Sequence, residues 1–238
     1  YDPVSKFIPE FKGGKVFEKT GETGMKLAEL KREITIRDLL VHTAGLAPGF
    51  GSDRPLANLY QEAGLYQPNI SHQAFAQKIA RLPLLHQPGE AWRYGEAYEV
   101  LAYLVEIISE MPFAVFLKQR IFEPLGMSDT GFGFPNDTTE RNARLYNVTE
   151  TGNFVASTER EWLMPTTVSR GSFGLVSTAS DYLRFTQMLH NQGELDGIHL
   201  LGRKTVQLMT QNHLPIALIP IKLSPDFVLN GYGCGLGF

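Results

Sequence analysis

The sequence predicts an α+β fold in which a helical region packs against an antiparallel sheet. Three observations support this class. Apolar segments separated by a turn lie near the start of the chain, helices with one apolar face fill its middle, and the last residues, Gly231 to Phe238, alternate glycine with bulky side chains. Because that alternation has the period of a β-strand, the closing segment is predicted to be a strand with one face free of side chains.

The first elements are a hairpin and a capped helix. Residues 15–17 and 25–27 flank a glycine-containing turn, as the two strands of a short hairpin do. Thr35, with Asp38 three residues later, predicts a helix start of the capping-box type. The helix is expected to end at Gly45, which can adopt a left-handed conformation.

The middle of the chain is predicted to be mostly helical. Residues 49–64 are predicted to be a loop, and Ser71 then caps a helix that Pro83 stops. Apolar residues recur at helical spacing over 98–108 and again over 113–121. These two runs predict a pair of amphipathic helices.

The last third of the chain is predicted to contain a second hairpin and two further helices. Residues 144–148 and 154–156 flank a turn and predict the hairpin. A capping box that begins at Thr178 predicts a helix through Leu189. A short helix is predicted over 205–209.

Composition excludes several classes of function. The chain has 238 residues, of which 43% are hydrophobic and 20% charged, and this predicts one large globular domain. A net charge of −3 gives no basic surface for nucleic acid. The longest apolar stretches, such as residues 214–223, contain proline or charge, so no membrane span is predicted. The single cysteine, Cys234, is expected to be a buried strand residue, and it is compatible with reducing and oxidising compartments alike.

Five motifs follow one another along the chain. The most informative is Pro-Gly-Glu-Ala-Trp-Arg-Tyr-Gly-Glu at residues 88–96. Before it come Asp-Pro-Val at 2–4 and His-Thr-Ala-Gly-Leu at 42–46. After it come Pro-Leu-Gly-Met-Ser-Asp-Thr at 124–130 and Gly-Ser-Phe-Gly-Leu-Val-Ser-Thr-Ala at 171–179.

In this order the motifs resemble those of the β-lactamase-related serine hydrolases, a group that includes class C β-lactamases, DD-peptidases and many carboxylesterases. The resemblance implies a β-lactamase/transpeptidase-like fold. It also implies acyl transfer through a serine acyl-enzyme, with a small-molecule ester, amide or β-lactam as substrate and no cofactor.

Tyr94 matches the catalytic tyrosine of that group, which helps a lysine to accept the proton of the nucleophilic serine. The alternative is a packing role, since an aromatic residue near a helix start usually packs. Glu96 stands where the lactamases usually place an asparagine that contacts substrate. A carboxylate accepts hydrogen bonds but cannot donate them, and it would repel the carboxylate of a β-lactam, so Glu96 favours an esterase over a lactamase. Glu96 could instead cap the following helix.

Other candidate residues are assigned structural roles. His42 is expected to be a buried histidine held by hydrogen bonds. Ser172 is predicted to be a turn residue rather than a nucleophile, because Arg170 replaces the first glycine of a Gly-x-Ser-x-Gly elbow. The six histidines show no metal-ligand spacing, so no metal site is predicted.

Two catalytic motifs are missing from the sequence. No Ser-x-x-Lys occurs in it, and the third motif of the family, Lys-Thr-Gly or His-x-Gly, is expected beyond Phe238. The interpretation is that residues 1–238 form a single domain truncated at both ends, with an incomplete sheet and no activity of its own. The alternative hypothesis is a non-catalytic homologue that binds a peptidoglycan-like ligand or a protein partner.

Overall fold

Helices and antiparallel strand pairs alternate along the chain, which confirms the α+β class. The computed structural model describes residues 2–21, 24–47, 56–133, 141–157, 169–224 and 227–237. The helices and strands are β1 (Lys15–Gly21), β2 (Gly24–Glu29), α1 (Ile36–Leu40), α2 (Ala57–Glu62), α3 (His72–Ile79), α4 (Ala97–Ser109), α5 (Phe113–Leu117), β3 (Gly131–Phe132), β4 (Tyr146–Val148), β5 (Phe154–Ala156), β6 (Leu175–Val176), α6 (Ala179–His190), β7 (Glu194–Leu195), β8 (Ile198–His199), α7 (Arg203–Thr210), β9 (Ile221–Ser224) and β10 (Phe227–Leu229).

The strands pair in twos. Within the described residues, β1 pairs with β2, β3 with β6, β4 with β5, β7 with β8 and β9 with β10, and every one of these pairs is antiparallel. The two predicted hairpins, β1–β2 and β4–β5, are both confirmed. The pairing of β3 with β6 is the long-range one, and it joins the end of the 124–130 motif to the 171–179 motif.

The predicted capped helices form where the caps predict them. The Thr35 side chain accepts a hydrogen bond from the Asp38 backbone N–H, and the Asp38 carboxylate accepts one from the Thr35 N–H, which completes a capping box. Ser71 caps α3 and Thr178 caps α6, each by accepting one backbone N–H through its hydroxyl. Each cap satisfies an N–H that has no partner inside the helix.

Two boundaries differ from the prediction. α1 ends at Leu40 rather than at Gly45, because His42 already has a left-handed φ of +56° that a helix cannot contain. Gly45 does have the predicted positive φ, at +83°. Its own conformation was therefore predicted correctly, but the helix had stopped before it.

The predicted loop over 49–64 is wrong in its second half, where the chain forms α2. Residues 48–55 lie outside the described residues. Leu56 and Tyr60 at α2 are fully buried, and the Tyr60 hydroxyl donates to the carbonyl of Pro83 at 3.3 Å. Tertiary packing thus stabilises a helix whose own residues carry only a weak helical pattern.

The predicted closing strand is also wrong. Residues 230–237 form an irregular segment in which Gly231 and Gly237 have φ values of +77° and +89°. The glycines serve turns rather than a flat face, since positive φ values are those that glycine adopts without strain. The Asn212 side chain accepts the backbone N–H of Cys234 at 3.1 Å and fixes this segment. Cys234 is buried as predicted, although it does not lie in a strand.

The main hydrophobic core lies between the N-terminal turns, α1, α3 and α4. Its members include Val4, Leu39, Phe75, Ile79 and Val100, each with no exposed surface. A second cluster joins the segment after α5 to α6, and a third surrounds Cys234. The 88–96 motif leads directly into α4, which contributes to the main core.

No single helix among the described residues is long and apolar enough to cross a membrane. In the same residues, α4 and the segment Phe113–Phe122, which meet at a bend of 76°, pass that test of length and hydropathy only as a pair.

Candidate active site

The two motifs at residues 42–46 and 88–96 lie side by side. Backbone hydrogen bonds of 2.7–2.9 Å join their loops. They run from the N–H of Leu85 to the carbonyl of Gly45, from Gly89 to Thr43, and from Arg93 to His42. Segments that are far apart in the sequence therefore form one paired structure.

Gly95 brings these loops closer than any other residue could. A Cβ at Gly95 would lie 2.2 Å from the carbonyl oxygen of Leu46, well inside van der Waals contact. Glycine at this position lets Tyr94 project immediately before α4 while the chain passes over the 42–46 loop.

Tyr94 lies at the surface of this pair of loops. Its side chain is 45% exposed, and its ring packs on that of His42 with 4.8 Å between the ring centroids. Its position leaves one side of the phenol open to a ligand and supports the other side with a buried ring. The catalytic role of Tyr94 stays a prediction.

His42 is buried beneath Tyr94 among aromatic rings. It also stacks on Tyr98 at 4.6 Å and meets Trp92 edge-on at 5.8 Å. Among the described residues its Nδ1 finds no hydrogen-bond partner, so ring contacts take the place of the hydrogen bonds that were expected for this nitrogen. Burial lowers the pKa of His42 to about 4, because the charged form would lose its hydration. The imidazole is therefore neutral at pH 7.

Glu96 is buried at the residue that precedes α4. Its carboxylate accepts a hydrogen bond of 2.8 Å from the hydroxyl of Tyr66, whose own side chain is 42% exposed. Although Glu96 occupies the N-cap position, its side chain makes no capping hydrogen bond to the helix. Burial and the nearby negative charge raise the pKa of Tyr66, which keeps that phenol protonated as a donor.

A second carboxylate, Glu99, is fully buried one turn further along α4. It accepts hydrogen bonds from the backbone N–H groups of Gly171 and Ser172 at 3.2 Å and from the Ser172 hydroxyl at 2.6 Å. The guanidinium of Arg170 lies 3.4 Å away and is itself buried. This carboxylate anchors the 171–179 motif to the helix that Tyr94 precedes.

Gly171 needs to be glycine for this anchor to form. A Cβ there would lie 2.2 Å from the carbonyl oxygen of Tyr98. Ser172 donates its hydroxyl to Glu99, in keeping with a structural rather than a nucleophilic role. Sequence reasoning did not assign a role to Glu99. The available signal was a single carboxylate among the apolar residues at the start of an amphipathic helix.

Asp38 supports the 42–46 loop from below. Its carboxylate accepts both guanidinium nitrogens of Arg32 at 2.6 and 2.8 Å and the Thr43 hydroxyl at 3.0 Å. Burial on its own would raise the pKa of Asp38, but the hydrogen bonds from Arg32 and Thr35 outweigh burial and hold it below its usual value. The aspartate therefore stays charged and keeps the loop in place.

The other acidic groups and the histidines do not gather into a metal site in the described residues. Within the described parts of the chain, no cluster of three or more His, Cys, Asp or Glu side chains could hold a metal ion. The remaining buried aspartate, Asp181, accepts the N–H of Asp129 and the hydroxyl of Thr130, both at 2.8 Å. It ties the 124–130 motif to the start of α6.

Comparison with known proteins identifies this arrangement. A family model described as "Beta-lactamase" matches residues 1–236. An uncharacterised protein of Mycobacterium tuberculosis is 34% identical over 219 residues, which cover 90% of this chain and 53% of that protein. Lovastatin esterase of Penicillium rubens is 28% identical over 77% of this chain and 45% of its own length. The chain thus spans about half the length of the curated relatives it matches.

A solved structure agrees with the sequence comparison. Unliganded simvastatin synthase (LovD) of Aspergillus terreus superposes with a TM-score of 0.71 and 27% sequence identity. The superposition covers 91% of this chain and 51% of that one. The β-lactamase/transpeptidase-like fold expected from the motifs is therefore confirmed.

Proposed function

The chain belongs to the β-lactamase family, and on that premise we propose that it forms part of a serine acyl-transfer enzyme. Tyr94 is the catalytic residue that these 238 residues contribute. The observation that carries the proposal is the placement of Tyr94, half-exposed where two family motifs meet and supported from behind by a buried ring. That residues 1–238 are one domain stays a prediction.

The chemistry assigned to Tyr94 is proton transfer. A serine Oγ attacks the carbonyl carbon of the substrate, its proton passes to the Tyr94 oxygen, and the leaving group departs with a proton returned by the tyrosine. A phenol has an ordinary pKa of about 10, so a neighbouring ammonium has to stabilise the phenolate. We propose that the serine and the ammonium both come from a Ser-x-x-Lys outside these residues, since none occurs within them.

An ester is the proposed substrate, in preference to a β-lactam. Glu96 lies two residues after Tyr94 in the chain and accepts a hydrogen bond from Tyr66, and its carboxylate would repel the carboxylate that β-lactams carry. A relative named lovastatin esterase is consistent with this preference. A neutral ester carries no charge for Glu96 to repel.

A labelling experiment tests the proposal. A fluorophosphonate should label the full-length protein at one serine, and the peptide that carries the label should lie outside residues 1–238. The 238-residue chain alone should remain unlabelled and should not hydrolyse an aryl ester. Labelling of a serine within these residues, or a folded full-length protein that cannot be labelled at all, would contradict the proposal. The second result would favour a non-catalytic binding protein.

A substitution at Glu96 tests the substrate preference. Glu96→Gln removes the negative charge and keeps the side-chain length, so that its amide oxygen can still accept from Tyr66, and turnover of a penicillin should rise relative to that of an aryl ester. Glu90→Gln is the matched control, because Glu90 lies in the same motif with its side chain 52% exposed and paired to Lys31. An equal change of the ratio in both variants would remove the assigned role from Glu96.

A further inference from the structure

His42 is the residue that most directly supports Tyr94, and nothing in the proposed chemistry uses it. The His42 ring contacts Tyr94 on one side and Tyr98 on the other, with centroid distances of 4.8 and 4.6 Å. Trp92 closes the cluster edge-on. The imidazole is thus held between rings and has only 6% of its surface exposed.

The backbone conformation and backbone hydrogen bonds at position 42 do not require histidine. His42 has a φ of +56°, in the left-handed region that glycine adopts without strain and that asparagine, aspartate and histidine adopt more often than other residues do. Its N–H donates to Leu39 and its carbonyl accepts from Arg93, and any residue makes these bonds. Because a residue other than glycine is uncommon at a positive φ, the histidine side chain at this position points to a role for its ring.

Hydrogen bonding does not explain the imidazole either. Among the described residues Nδ1 is buried without a partner, which costs free energy rather than contributing it. The neutral ring also makes a poor proton acceptor at neutral pH, since its pKa lies near 4. The contribution that remains is contact between rings, which sets the orientation of a neighbouring aromatic side chain.

We propose that His42 is a positioning residue, whose ring fixes the side chain of Tyr94 in the orientation that proton transfer needs. This inference rests on the proposed function of Tyr94. A phenol that is half-exposed has several accessible rotamers, and a buried ring packed on one of its faces selects among them. Proton transfer depends steeply on that geometry, whereas substrate binding does not.

The inference is tested in the full-length protein with two substitutions that separate ring from backbone. His42→Asn accepts the positive φ and removes the ring, so kcat for an aryl ester should fall about tenfold to a hundredfold while KM changes by less than about twofold. His42→Phe restores a flat ring and should recover most of kcat, despite its strained backbone. Gln192→Asn is the matched control, since Gln192 has a φ of +63° and lies far along the chain after α6; its kcat should not change.

A double-mutant cycle with Tyr94→Phe separates this inference from the proposed function. If His42 acts through Tyr94, His42→Asn should have no further effect on kcat once Tyr94 is phenylalanine. His42→Gln, which is closer in volume to histidine, replaces His42→Asn in the cycle if the asparagine variant does not fold.

The possible results distinguish the inference about His42 from the proposed function of Tyr94. Near-normal kcat in His42→Asn, together with an inactive Tyr94→Phe, would overturn the inference and leave the proposed function in place. Near-normal kcat in Tyr94→Phe would overturn the proposed function itself. Additive losses in the cycle, or a His42→Phe variant as slow as His42→Asn, would show that His42 does not act by ring contact with Tyr94.

Discussion

Tyr94 and Glu99 lie on either side of the first residue of α4, and they are held in opposite ways. Tyr94 is half-exposed and is supported by ring contacts with His42. Glu99 is fully buried, and two backbone N–H groups, one hydroxyl and the charge of Arg170 surround it. The difference separates two tasks of one segment. If Tyr94 has the proposed role, the aromatic cluster orients a reactive group, whereas the ionic anchor holds the 171–179 loop against α4.

The comparison predicts that damage to the anchor reduces stability and that damage to the aromatic cluster reduces turnover. Removing a partner from a buried ionic contact leaves a charge without compensation, which is among the costliest single changes in a protein. Moving an exposed phenol costs little free energy of folding.

Glu99→Ala should have the largest effect on stability. It leaves the buried guanidinium of Arg170 unpaired, and the free energy of unfolding should fall by about 3–5 kcal/mol. Denaturation in urea measures this loss. The control is Glu123→Ala, whose exposed pair with Lys118 spans 3.8 Å and should contribute less than about 1 kcal/mol. Similar losses in the two variants would show that Glu99 is no anchor.

Acid should weaken the aromatic cluster through His42. Its pKa is lowered in the folded protein from 6.5 to about 4, so the unfolded chain binds the proton more tightly. Stability is therefore lost as the pH falls from about 6.5 towards 4, by about 3 kcal/mol relative to pH 7 from this residue. Carboxylates titrate in the same range, so the measurement is the difference between the wild-type and His42→Asn curves of unfolding free energy against pH. Parallel curves would refute the prediction.

Gly171→Ala should disturb the anchor sterically. The added methyl group would lie 2.2 Å from the carbonyl oxygen of Tyr98 and would have to push the loop away from α4, at a cost of about 1–3 kcal/mol. Gly131→Ala is the control, because a Cβ at Gly131 meets no atom within 4 Å. If the midpoint of thermal unfolding moved equally in both variants, close approach at Gly171 would not be the reason for its glycine.

Tyr66→Phe should have the smallest effect on stability. It removes one donor from the buried Glu96 carboxylate, and since Tyr66 is partly exposed water can replace it, so the loss should be about 1 kcal/mol. Tyr182→Phe, at a ring that is 60% exposed, gives the background for such a change and should cost less than about 0.5 kcal/mol. A loss in Tyr66→Phe no greater than in the control would mean that the hydrogen bond to Glu96 contributes nothing.

Much of the fold could be predicted because its signals are local. The caps at Thr35, Ser71 and Thr178 and the apolar stripe of α4 depend on neighbours within a few residues, and all of them formed as predicted. The loop prediction was wrong at α2 because this helix is stabilised by the packing of Tyr60 and Leu56 in the core, and no local pattern in the sequence shows that packing. The prediction of a closing strand was wrong because alternating glycines are compatible with turns as well as with strands.

The site was predictable only as far as its motifs extend. Tyr94 and Glu96 were singled out because ordered motifs surround them, and in the structure the Tyr94 ring packs on His42 while the Glu96 carboxylate binds the Tyr66 hydroxyl. The contact of His42 with Tyr94 could not be predicted from the sequence, since it depends on the pairing of the 42–46 loop with the 88–96 loop, which are far apart in the chain. Glu99 was missed for the same reason, because its partners come from Arg170 to Ser172.

The proposed function depends most on the phenol of Tyr94, and a pair of tyrosine variants in the full-length protein tests it directly. Tyr94→Phe should lower kcat for an aryl ester by about 10²–10⁴-fold with unchanged stability, because only the hydroxyl that carries the proton is lost. Tyr98→Phe, which removes a hydroxyl from the other side of His42, should leave kcat close to the wild-type value. A Tyr94→Phe protein that turns over as fast as Tyr98→Phe would contradict the account and return Tyr94 to a packing role.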